Sequence, residues 1–219
     1  MARRTNAPPA KSVSDDDVRA LLQRYGCAVP FHEVRTRFLG SIASPAISVS
    51  PIRVVEGLWD GELPTFDSLD DANALIEALA SGLWNRLTRH QQRSAPFRLT
   101  RIDVTPTREG LSALAVVRRE ELDGFVDGLF GDCEDLDFPE RAHRGLDRLS
   151  GMRALFAGVL TVTGDETIPG TETDMQTTLQ HLRALTKNAE HEIHEIVLSC
   201  TRARRQTLPG SPARKSTLH

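Results

Sequence analysis

Between Thr173 and Arg205, Met175, Leu179, Leu182, Ala189, Ile193, Ile196 and Cys200 recur at helical spacing and make one apolar stripe. The segment SLDDANALIEALASGLWNRLTRHQQR repeats the device, with Ala72, Leu75, Ile76, Leu79, Leu83 and Leu87 on one face and Ser68 with its following acids marking the start. Two such stripes predict a mainly α-helical, bundle-like domain. Shorter helices are predicted around them. Ser14 caps one ahead of three acids, and Gly26 closes it. Another runs from His32 to about Ser44 and stops before Pro45, because the residue preceding proline resists helical geometry. A brief helix starts at Pro51, and REELDGFVDGLFG and FPERAHRGLDRLSGMRALFAGVLTV supply two more.

The period changes in FRLTRIDV, TPTREG and LSALAVV, where two β-branched, partly alternating runs flank a turn with Pro106 and Gly110. This predicts one small β-hairpin over about residues 97–118, although LSALA is equally compatible with the start of a helix. A lone hairpin is marginal, so it must pack on the helices.

The 219 residues, with 39% apolar and 26% charged side chains, suffice for one full core. The organisation expected is a disordered Pro/Ala/Ser-rich lead-in over 1–13, a single helical domain over 14–205 and a disordered polar tail over 206–219. No run of about eighteen apolar residues exists, which predicts no membrane span, and no apolar stretch follows the first basic residues as in a secretory signal. A cytoplasmic location is expected. Cys27, Cys133 and Cys200 are far apart and form no C-x-x-C pair, so buried, reduced thiols are expected rather than a disulfide framework or a thiolate zinc site.

The stretch AEHEIHEIVLSC places His191, Glu192, His194 and Glu195 close together. A zincin helix needs H-E-x-x-H, and here the histidines are three apart. A di-iron bundle needs Glu-x-x-His on two helices, which is also missing. Wound at about 100° per residue, His191 falls on the face opposite Ile193, with Glu195 near it, and His194 on a flank beside Glu190. A solvated face is the favoured reading, with His191, His194 and Glu195 kept as candidate metal ligands. Residues 120–140 carry nine acids and no base. Asp132, Glu134, Asp135 and Asp137 miss the spacing of a calcium loop and are candidates for a partner surface. Arg202, Arg204 and Arg205 form a basic end without interleaved aromatics, a second candidate surface. The net charge of −3 does not announce nucleic acid as a partner. Gly124 and Gly128 flank Phe125 at a spacing that favours tight helix packing, with a dimer contact as the alternative.

Two stretches together resemble the YecA/YgfB-like group of bacterial proteins. In FLGSIASPAISVSPIRVVEGLWDGELPTFDSLDDANALIEAL, Pro45, Trp59, Gly61, Pro64 and Phe66 occupy that group's small-residue-plus-proline turn, Trp-Gly and acidic/Pro/Phe turn. In EELDGFVDGLF, Gly124, Phe125 and Gly128 match its W-x-x-G-F-x-x-G helix, with Glu121 or a neighbour where the tryptophan stands. The resemblance implies a helical fold with a small hairpin, a frequent dimer and a cytosolic role. Some members carry a cysteine-rich zinc tail, but this chain has only Cys200 and His219 in that region.

The function expected is a helical protein-binding or regulatory protein without catalytic activity or cofactor. Its partner is another protein, with a homodimer as one option. One alternative is a metal-binding protein or metal-dependent enzyme using His191 and His194; another is a nucleic-acid-associated regulator using the basic end.

Overall fold

A computed structural model describes residues 13–46, 49–131, 133, 136–165, 167 and 171–207. Apart from Val13, Gln206 and Thr207, the expected lead-in and tail lie outside the described residues. The described residues are mainly helical. The helices are α1 (Asp15–Arg24), α2 (Phe31–Ala43), α3 (Pro51–Glu56), α4 (Leu69–Ile76), α5 (Asn85–Thr88), α6 (Arg108–Phe130), α7 (Glu140–Gly164) and α8 (Glu172–Thr207).

Local chemistry sets most of their ends. The Ser14 hydroxyl accepts from the Asp17 N–H at 3.1 Å while the Asp17 carboxylate accepts from the Ser14 N–H at 2.9 Å, a reciprocal cap. Ser68 caps α4 through the Asp71 N–H at 3.2 Å. Helix α2 ends at Ala43, and Ser44, before Pro45, is extended with ψ 134°.

Helix α4 runs on through a π-helical stretch, Glu77–Trp84, into α5. Leu75, Leu79, Leu83 and Leu87 are all buried although they are spaced by four. That spacing drifts by about 40° per step on an α-helix. The wider π turns take the drift out and keep all four leucines facing inward.

Buried side chains from α1, α2, α3, α4, α5, α6, α7 and α8 form one hydrophobic cluster. Its closest approach is between α2 and α6. A Cβ at Gly124 would stand 2.8 Å from the Glu33 carbonyl oxygen and 2.9 Å from Thr36 Oγ1. At Gly128 it would overlap the Arg37 carbonyl, and at Gly40 it would overlap the backbone of Phe125. Glycines on both helices therefore bring the two backbones together, and Gly124 and Gly128 face α2 within the chain.

The expected hairpin is absent: among the described residues no strand forms. Residues 97–105 form neither helix nor strand, and α6 begins at Arg108, so LSALAVV is helical. Thr107 is the reason for the switch. Its hydroxyl accepts from the Gly110 N–H at 3.1 Å and starts a helix where a β-turn was expected. Without a partner strand, this segment finds its backbone bonds elsewhere.

Candidate functional site

Those bonds come from side chains on three helices. The Leu99 N–H donates to Glu190 Oε1 of α8 at 3.0 Å, and the Thr100 N–H to Glu121 Oε1 of α6 at 2.7 Å. Arg118 Nη2 donates to the Thr100 carbonyl at 2.7 Å, and Arg35 of α2 reaches the Arg98 carbonyl at 3.3 Å. Arg118 also donates to Glu121 Oε2 and, at 3.2 Å, to Thr186 Oγ1. Glu121 and Arg118 are buried, so each ion is compensated in place. Carboxylates and guanidiniums thus substitute for the ladder of a neighbouring strand.

The histidine cluster of α8 divides. His191 is exposed and Glu195 is half-buried, 3.7 Å from Arg141 Nε. His194 is buried, a correction to its place on a solvated flank, as are Glu190 and Glu192. The stripe of α8 is wider than its apolar residues alone suggested, because arginines from other elements meet its acids. Arg98 binds Glu190 at 2.7 Å, and Arg141 and Arg148 of α7 bind Glu192 at 2.8 and 2.7 Å. Burial pushes the Glu192 carboxyl up, but these two arginines outweigh it and hold the group below its ordinary value. Among the described residues, no three His, Cys, Asp or Glu side chains converge to hold a metal ion.

Neither ring nitrogen of His194 makes a well-formed hydrogen bond. Burial lowers its pKa, partly offset by the Arg93 backbone. Burial also lowers that of His90, whose Nδ1 lies 2.8 Å from the Ala95 carbonyl and whose ring meets Phe97 edge-on at 5.2 Å. Unfolded, both rings protonate near about pH 6.5; folded, they do so only at lower pH. The unfolded state therefore binds more protons below that value, and stability falls as the pH drops through it. Denaturant midpoints at about pH 7.5 and 5.5 should show this loss, reduced in His90→Gln/His194→Gln. An equal loss in that variant would place its origin elsewhere.

The acidic segment is less solvated than its composition suggests. Glu120 pairs with His32 at 2.7 Å, Glu121 with Arg118, Asp123 with Arg153 and Asp127 with Arg37 at 3.4 Å. Asp137 is exposed, while Asp132, Glu134 and Asp135 lie outside the described residues. At the basic end Arg202 and Arg205 are exposed, but Arg204 turns inward and donates to the Ser44 carbonyl at 3.2 Å.

Trp59 donates through Nε1 to the Tyr25 carbonyl at 2.9 Å, and Phe66 meets the Tyr25 ring edge-on at 5.2 Å. Gly61 supplies a positive φ of 96° in the turn between them, and Pro45 and Pro64 are half-buried. Trp59 and Phe66 clamp the end of α1. Phe125 is fully buried.

The thiols also differ from expectation, since Cys133 is exposed. Burial pushes Cys200 up to about 12 and also raises Cys27, so neither supplies a thiolate near neutral pH. A thiol reagent under native conditions should label Cys133 at once and Cys200 only as the chain unfolds; rapid native labelling of Cys200 would contradict its burial. A cavity of about 680 Å³ lies between α2, α3 and the end of α6, lined by Arg37, Ser44, Ser50, Arg53, Asp127 and Phe130. Arg37 there is already bound to Glu33 at 3.0 Å as well as to Asp127.

One surface was missed in the sequence. On α7, Leu155 is 60% exposed and Val162 is 49% exposed. Gly151 and Gly158 share their stripe, and a Cβ at either would meet nothing within 4 Å. At Gly145 of the same helix, by contrast, a Cβ would stand 2.6 Å from Ile196 Cγ1, so that glycine makes room for a core side chain. An interior helical glycine weakens a helix by about 1 kcal/mol relative to alanine, and no contact among the described residues accounts for Gly151 or Gly158. From residue 149 to residue 164 the one charged side chain is Arg153, which is turned to Asp123 of α6. That uncharged run was the available signal.

No known protein family matches the chain, and no curated protein or solved structure matches it.

Proposed function

We propose that this chain is a helical protein-binding or regulatory protein whose working surface is the outer flank of α7, and that it has no turnover of its own. The observation that carries the reading is the exposed stripe Gly151, Leu155, Gly158 and Val162 on a helix otherwise anchored by ion pairs. Exposed apolar side chains beside bare backbone suit a second helix that comes close, and few solvated groups need be stripped of water. The carboxylates Glu190 and Glu192 beside the candidate metal-ligating histidines, and Glu121 of α6, are committed to arginines and backbone amides. The kinship with YecA/YgfB-like proteins belongs to the same proposal and rests on Pro45, Trp59, Gly61, Pro64, Phe66, Gly124, Phe125 and Gly128. So does a cytoplasmic location; among the described residues, no helix is long and apolar enough to cross a membrane.

A photoactivatable side chain at position 155 or 162, introduced in the native cell, tests the reading. It should form protein adducts that the same group at exposed Arg183 does not form. Adducts no more abundant than at Arg183 would overturn it.

A further inference from the structure

The stripe on α7 is complementary to itself when reversed, which identifies the occupant. Arg148, Gly151, Leu155, Gly158, Val162 and Asp165 follow alternating steps of three and four, the spacing of a coiled-coil seam. All six are exposed. The midpoint of the series falls between Phe156 and Ala157. Reversal about it exchanges Leu155 with Gly158, Gly151 with Val162 and Arg148 with Asp165. Each large residue thus meets a glycine, and a cation meets an anion at both ends.

We propose that the chain forms an antiparallel homodimer through α7, with a two-fold axis beside the midpoint of Phe156 and Ala157; the inference rests on the α7 flank being a contact surface. Leu155 of each copy lies over Gly158 of the other, and Val162 over Gly151. The glycines let the helix axes approach until these side chains touch backbone. A parallel pair would instead set Leu155 against Leu155, glycine against glycine and Arg148 against Arg148. Orientation therefore follows from size and charge together.

Arg148 is free to take part. It uses Nη1 on Glu192 at 2.7 Å, and its side chain remains 55% exposed. Asp165 is held as a carboxylate by Thr167, whose hydroxyl and N–H donate to it at 2.6 and 2.9 Å. Arg153 lies off the seam and is satisfied by Asp123. The seam from Arg148 to Asp165 spans about 25 Å. One helix pair of that length buries an area at the low end of specific interfaces, about 1,000 Å². The dimer is accordingly a concentration-dependent one.

Sedimentation of the full chain over a concentration series, with helicity checked by circular dichroism, tests the pairing. Wild type should pass from monomer to dimer. Gly158→Leu fills open space in the monomer and should leave it folded, yet it closes the recess for Leu155 of the other copy and should weaken association at least tenfold. Leu155→Gly/Gly158→Leu exchanges large and small within the same layer and should recover association to within about threefold of wild type. A monomer at every concentration up to about 500 µM would overturn the dimer. So would Gly158→Leu associating as wild type does, while a folded swap variant that stays monomeric would overturn the antiparallel register. If adducts at position 155 joined the chain to a different protein while the purified chain stayed monomeric, the self-pairing would fall and the α7 contact surface would stand.

Discussion

Gly128→Ala is expected to destabilise the fold by about 3 kcal/mol or more, toward the upper end of overpacking costs. A Cβ there overlaps the Arg37 carbonyl, a backbone group that no rotamer change can move aside. Relief requires α2 and α6 to separate, which loosens Phe125 and Leu129 on one side and Phe38 and Leu39 on the other, all buried. In a chain of this size that cost corresponds to a melting point lower by about 10 °C. Gly57→Ala provides the control. Gly57 has φ −62° and open space around its Cβ position, so alanine should be neutral or stabilise by up to about 1 kcal/mol. Equal melting points for Gly128→Ala and wild type would mean that α2 and α6 do not cross at these glycines.

Glu121→Ala is the second large effect, expected at about 3–5 kcal/mol. The substitution leaves the buried Arg118 guanidinium without its carboxylate and the Thr100 N–H without its acceptor. Urea unfolding measures the loss, and a companion variant divides it. Arg118→Met/Glu121→Leu removes both charges and should recover part of the stability. It should still fall short of wild type by about 1–3 kcal/mol for each Thr100 backbone group left unpaired. If the double variant were no better than Glu121→Ala, the unpaired charge would not be the main cost. An unchanged midpoint in Glu121→Ala itself would show that the segment around Thr100 is held by other means.

These two sites show how unevenly the fold is written in the sequence. Helices with a regular apolar stripe and a polar cap were legible, and Ser14, Ser68 and Pro45 marked their ends well. The hairpin was misread because Thr100, Ile102 and Val104 favour strand, although no partner strand forms beside them, and because Thr107 looked like part of a turn rather than a helix cap. What pairs with that backbone could not be read locally. Glu121 and Glu190 meet adjacent residues, Thr100 and Leu99, from positions far apart in the chain, and nothing near either glutamate announces it. The same long-range pairing buried Glu192 and left His194 inside, where helical spacing alone had set His194 on an outer flank. The α7 flank was legible in principle. An uncharged run on a helix reads equally well as core until the structure shows which side is open.

Amide hydrogen exchange measured at low and high protein concentration reads the contact of two copies through α7. Exchange over residues 148–165 should slow at the higher concentration, with α1 and α3 unchanged. Identical exchange over 148–165 at concentrations spanning about 1 to 500 µM would contradict it.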